Sequence, residues 1–193
     1  MTGQAGLIAQ DPKYCIDTNV IVSFMRGTDD EHYGADVFPD QWRFLEAHMQ
    51  QGDIVAPRKV EEELGKWHKT IKAMPAWLTK HQYLFCDIES DIQLELAKRI
   101  TCAYEAYALS ENYLGDLEVM SLAGARKLTV ISLESSKSTP SKSRPKIPDV
   151  CKEFGIDCVS LPGFLRREGF GTSEMAGVAT PRSLLGLLTV GES

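Results

Sequence analysis

The chain has 193 residues, with 21 Lys+Arg against 27 Asp+Glu and a formal net charge of −6. At 43% hydrophobic and 25% charged it has the composition of a globular domain with one sizeable core, which excludes disordered and fibrous classes. The mild acidity also excludes a polybasic protein that coats nucleic acid through global charge, although a nucleic-acid enzyme depends only on local charge around its site.

In chain order, Lys13–Ile16 reads as a short strand running into Asp17-Thr18-Asn19, where Asp17 or Thr18 is suited to cap a helix. Pro39 opens a helix through Trp42, Leu45 and Met49 that Gly52 closes, and Asp53–Ala56 is the next strand. Pro57 introduces a helix carrying Val60, Glu63, Leu64 and Trp67. From Asp87, the residues Ile88, Ile92, Leu96, Ile100, Ala103 and Tyr107 recur at spacings of four and three, the strongest helical stripe in the chain. A helix starts near Asp116 with Val119, Met120 and Ala123 inward, and Leu128–Ile131 follows as a buried strand. A helix over Pro148–Phe154, a strand over Cys158–Leu161 and a last helix over Gly163–Arg167 complete the pattern, which predicts a parallel sheet with helices on both faces. Residues 135–146 and the tail from Gly171 to Ser193 read as irregular.

No stretch approaches the ~20 consecutive apolar residues of a membrane span, and the N-terminus lacks the basic and apolar regions of a secretory signal. Cys15, Cys86, Cys102, Cys151 and Cys158 are odd in number and form no C-x-x-C pair, so they read as reduced thiols of a cytoplasmic protein.

Four acids fall at element junctions: Asp17, Glu63, Asp116 and Glu134. In open parallel sheets ligands bind beyond the carboxyl ends of the strands; three of these junctions share that edge, and Glu63 can reach it from the adjoining helix. Gathered carboxylates repel and call for protons or cations. Hard divalent ions such as Mg²⁺ or Mn²⁺ suit such oxygen ligands and can activate water against a phosphodiester. Each acid also has a plainer role open to it. Asp17 and Asp116 could cap helices, Glu63 belongs to the run Glu61–Glu63, and Glu134 could be a loop residue.

The joint pattern favours a site. C-I-D-T-N-V-I at 15–21, P-R-K-V-E-E-E-L at 57–64, D-L-E-V-M-S-L-A at 116–123 and V-I-S-L-E at 130–134 occur in the order used by PIN-domain nucleases, which the chain resembles over residues 13–170. VFPDQW at 37–42, APRKVEEEL at 56–64 and KIPDVCKEFGIDCVSLPGFLRREG at 146–169 resemble one PIN-like branch. The resemblance implies a three-layer α/β/α sandwich with a mainly parallel sheet over residues 13–170, between an extension at 1–12 and a tail at 171–193. It implies Asp17, Glu63, Asp116 and Glu134 as catalytic metal ligands for Mg²⁺ or Mn²⁺, with Glu62 as a competing second acid. Thr18, Asn19 and Ser132 would support them. Gly115 stands where the family frequently has Ala, and Ser132 where it often has Thr.

Lys137, Lys142, Arg144 and Lys146 make residues 135–146 a local excess of cations beside Glu134. This loop is suited to a nucleic-acid backbone, though a solvated connector has the same composition. Through the resemblance, RNA is the expected substrate, the function is that of an endoribonuclease toxin of a toxin–antitoxin module, and a cognate antitoxin and a second copy are the expected partners. Leu184–Leu188 could dock on such a partner, but is expected to fold back on its own domain. Among rival readings, a haloacid-dehalogenase-type phosphatase needs Asp where Asn19 stands, and a receiver domain needs paired acids that are absent. A catalytically silent PIN-like module, or a nuclease acting on structured DNA, remains as an alternative function. His32, His48, His68 and His81 are isolated and carry no assigned chemistry.

Overall fold

The computed structural model describes residues 11–29, 31–88, 90–137, 139 and 141–172. The Leu184–Leu188 segment and most of the tail and extension lie outside the described residues. Five short strands, β1 (Tyr14–Ile16), β2 (Ile54–Pro57), β3 (Phe85–Cys86), β4 (Thr129–Ser132) and β5 (Cys158–Ser160), form one parallel sheet in the order β3-β2-β1-β4-β5. In register, Tyr14 lies opposite Ile54 on one side and Thr129 on the other. Parallel neighbours need crossover connections, and helices supply them here.

The first crossover carries α1 (Thr18–Met25) and α2 (Pro39–Gln51), and the second carries α3 (Arg58–Lys66) and α4 (Met74–Lys80). The third carries α5 (Asp91–Ala103), α6 (Ala106–Leu109) and α7 (Leu114–Arg126), and α8 (Ile147–Phe154) and α9 (Leu161–Arg167) flank β5. Pro39 begins α2 at a position where a missing N–H costs nothing, and Gly52 ends it in the left-handed region at φ 82°.

The α7 helix lies across β1, β2 and β4, with α5 packed outside it. On the other face Phe164 of α9 meets Tyr14 edge-on at 5.0 Å and Phe44 of α2 at 6.2 Å. The result is the expected α/β/α sandwich. Its core runs through Cys15, Ile16, Ile54, Ala56, Val130 and Ile131 of the inner strands. Cys15, Cys102, Cys151 and Cys158 are free thiols. Among the described residues no helix is long and apolar enough to cross a membrane.

The long stripe from Asp87 does not form one helix. The α5 helix starts at Asp91, where the Ser90 side chain accepts the Gln93 N–H as a cap. Ile88 and Ile92 are left 45% and 67% exposed. Tyr104 then turns extended (φ −134°, ψ 91°) and ends the helix, so Tyr107 sits on the separate α6. Two elements lie outside the expected pattern: the two-residue edge strand β3 and the short α4.

The strand order places β2 and β3 on one side of β1, after which the chain returns to put β4 on the other. That reversal makes the carboxyl ends of β1 and β4 the crevice where open α/β sheets bind ligands.

Candidate active site

Asp17 directly follows β1 at this crevice and is 2% exposed. It stands at the N-cap position of α1, yet its carboxylate makes no capping hydrogen bond to the helix. Instead Oδ2 accepts from Ser132 Oγ at 3.2 Å and from Asn19 Nδ2 at 3.4 Å. Ser132, fully buried at the end of β4, also accepts the Glu134 N–H at 3.1 Å. One hydroxyl thus ties the end of β4 to the acid after β1.

Glu63 approaches from the adjoining α3, where its Oε2 accepts from Thr18 Oγ1 at 2.6 Å. Thr18 therefore supports Glu63, and Asn19 supports Asp17. The neighbouring glutamates are occupied on the surface: Glu61 with Arg58 and Glu62 with Lys59, each at 2.7 Å. Glu63 is the member of the run that turns inward. It can do so because position 115 is glycine. A Cβ at Gly115 would fall 2.5 Å from Glu63 Cδ, inside any real contact distance.

Asp116 sits in the first turn of α7, whose N-terminus opens at the same edge. Glu134 follows β4, and its Oε2 accepts the Ile147 N–H at 2.7 Å at the start of α8. Its other oxygen is paired with the Lys146 ammonium. Lys146 also acts on Asp116, lowering the proton affinity that the acids raise.

Burial beside like charges dominates the electrostatics. Desolvation, then Glu134, and then Glu63 push Asp17 up to about 7, against the hydrogen bond from Ser132. Desolvation, then Asp17, Glu134 and Glu63, push Asp116 up to about 8. Glu63 and Glu134 are near enough to oppose the ionisation of Asp17 and Asp116, which is the arrangement found where charge is put to use.

Every side chain in this group is a hard oxygen donor, the set that Mg²⁺ and Mn²⁺ take. Among the described residues no three His, Cys, Asp or Glu side chains form a ready-made ligand group. Thr18 holds Glu63 through a neutral hydroxyl and Lys146 pairs with Glu134, so among the described residues Glu134 is the one acid of the four with a cation bonded to it. The chemistry of the site fits a divalent cation, and the two glutamates are the members that would have to turn toward it.

Beside the acids lies a cleft of about 450 Å³ lined by Asn19, Arg26, His32, Trp67, Glu134 and Lys146, among others. Of the four loop cations, Lys146 is drawn into the site, and Lys142 lies 5.6 Å over the Tyr104 ring. Lys137 and Arg144 are exposed. Sequence reasoning puts Tyr107 on an apolar helical stripe and sees in Gly115 only a departure from the frequent Ala. The first is a buried phenol on which Asp116 and Glu134 act electrostatically, and the second makes the space in which Glu63 lies. A Tyr nine residues before an acid, or a Gly directly before it, carries no signal until the fold brings them together.

No curated protein matches the sequence. Among solved structures, the chain is similar to the VapBC2 complex of Rickettsia felis bound to a DNA fragment from its promoter, with 14% identity and a TM-score of 0.43 over 76% of this chain and 97% of that one. Residues 14–172, which hold the whole sheet and all four acids, match the family described as a domain of unknown function (DUF4411), and the chain belongs to that family.

Proposed function

We propose that this edge is the active site of a metal-dependent nuclease that cleaves RNA phosphodiesters. One observation carries the reading: Asp17 and Asp116, from separate elements, meet in a low-dielectric crevice with Glu63 and Glu134 close enough to raise their proton affinity. A structural role gains nothing from such repulsion, whereas a site for a cation needs it. Asp17 and Asp116 would hold Mg²⁺ or Mn²⁺, with Glu63 and Glu134 completing the set. When bound, the cation lowers the pKa of water and offsets charge on the phosphate.

The chain's own residues do the rest. Ser132 and Asn19 fix the Asp17 carboxylate, and Thr18 fixes Glu63. Lys146, already among the acids, supplies a positive charge at the mouth. Lys137, Lys142 and Arg144 extend that charge along the loop and suit a phosphate backbone, which they would hold without reading its sequence. Resemblance of the acid motifs to PIN-domain nucleases supports the finer reading, a toxin held by a protein antitoxin and acting as a dimer.

The test is cleavage of a labelled single-stranded RNA. We expect cutting with Mn²⁺, none with EDTA, and none by Asp17→Asn or Asp116→Asn. Arrested growth on expression of the wild type, and not of Asp17→Asn, would support the toxin role. Equal cleavage by wild type and both variants would remove the site from the reaction. The second reading, a binding module without cleavage, is favoured by the Lys146–Glu134 pair, which balances one acid internally. RNA bound and left intact by the wild type in Mn²⁺ would establish it over the nuclease.

A further inference from the structure

Three tyrosines are buried in this domain: Tyr14, Tyr104 and Tyr107. Two have their hydroxyls satisfied, Tyr14 by Glu168 and Tyr104 by Glu153. The Tyr107 hydroxyl is fully buried and has no hydrogen-bond partner among the described residues. Buried hydroxyls are nearly always paired because leaving one unpaired is costly, so this one calls for an explanation.

Its surroundings supply one. The ring is 2% exposed and held by edge contacts to Tyr104 at 6.2 Å and Tyr113 at 5.6 Å, so the hydroxyl has little freedom to turn. Asp116 and Glu134 are the charged groups that act on it most strongly, and with burial they push the phenol well above its ordinary value. A neutral phenol has one O–H to give, and nothing among the described residues takes it. A buried O–H without an acceptor among the described residues thus stands within electrostatic reach of Asp116 and Glu134, beside the Tyr113 ring that precedes α7.

We infer that Tyr107 donates a hydrogen bond to an oxygen of the group bound among Asp17, Asp116 and Glu134, a phosphate oxygen of the nucleic-acid backbone. The inference rests on the nuclease reading and adds a substrate-contacting residue to it. Water carried by the cation presents the same acceptor chemistry, and metal affinity measured apart from cleavage separates the two sources.

Tyr107→Phe removes the hydroxyl and keeps the ring. Three quantities are measured on the full chain: the melting temperature, Mn²⁺ affinity by calorimetry without RNA, and kcat and KM for cleavage. We expect an unchanged or higher melting temperature and a loss in kcat/KM of about 10–100-fold. If the partner is the phosphate, Mn²⁺ affinity is unaltered. If it is water on the cation, Mn²⁺ affinity falls before any RNA is added. Wild-type values of Mn²⁺ affinity, kcat and KM in the variant overturn the assignment while leaving the nuclease intact. A wild-type protein that neither binds Mn²⁺ nor cuts RNA overturns the nuclease reading and Tyr107's role with it.

Discussion

Asp17 and Asp116 hold their protons at pH values where the unfolded chain has released them. Their ordinary value of 3.8 rises to about 7 and about 8 in the folded chain. Between those limits the unfolded state binds fewer protons, so stability falls as pH rises. In EDTA, the wild type is therefore expected to melt higher at pH 5 than at pH 8, and Asp17→Asn to flatten that difference. Relief of ~1 kcal/mol at pH 8 corresponds to about 2–4 °C for a domain of this size. Superimposable pH profiles for the two proteins would show that the acids do not crowd one another. Gly115 gives a second residue-scale outcome. Gly115→Ala adds about 1 kcal/mol of helix propensity to α7, while its new Cβ must displace the Glu63 carboxylate. The variant should melt as high as the wild type or higher and lose activity by about 10–100-fold. Thermal melts beside cleavage rates check this, and retained activity would show that Glu63 is dispensable.

At the scale of elements, the strand–acid–helix junctions are legible in the sequence because they rest on local chemistry. Pro39, Gly52 and Pro57 punctuate where the backbone requires it, and α7 and β4 appear with the buried faces that their periodicity predicts. The α5 boundary is misplaced by periodicity because spacing counts apolar residues without asking which face the sheet offers. Ile88 and Ile92 match the stripe, yet both remain exposed around the Ser90 cap. The Ser-x-x-Gln pattern at Ser90 and Gln93 marks that start and outweighs two apolar matches. Stability separates the two halves of the stripe. Ile92→Ser should change unfolding free energy by no more than about 0.5 kcal/mol, whereas Ile100→Ala, fully buried, should cost about 2–5 kcal/mol. Urea unfolding measures both, and similar costs would mean that Ile92 is buried like Ile100. Which glutamate of the run turns inward is not legible from local chemistry, and the family resemblance alone points to Glu63 over Glu62. That choice depends on Thr18 and Gly115, which are remote from it in sequence.

For the molecule as a whole, the sheet order decides where charge accumulates. A return across β1 brings β4, its acid and the basic loop to the crevice that β1 and α3 already line. Lys137, Lys142 and Arg144 changed together to Ser should weaken RNA binding and flatten its salt dependence by about 0.7 in log–log slope for each phosphate no longer held. A titration against single-stranded RNA checks this, and an unaltered slope would locate the backbone's grip elsewhere. Glu134 has a further consequence at this scale. Its carboxylate joins Lys146 and the first N–H of α8, so residues 135–146 are a ring closed by one side chain. A cation that draws Glu134 toward Asp17 and Asp116 must open that latch, and the loop becomes the place where loading is felt. Trypsin should then cut after Lys137 and Lys142 faster in Mn²⁺ than in EDTA, and equal rates would mean that the latch stays shut.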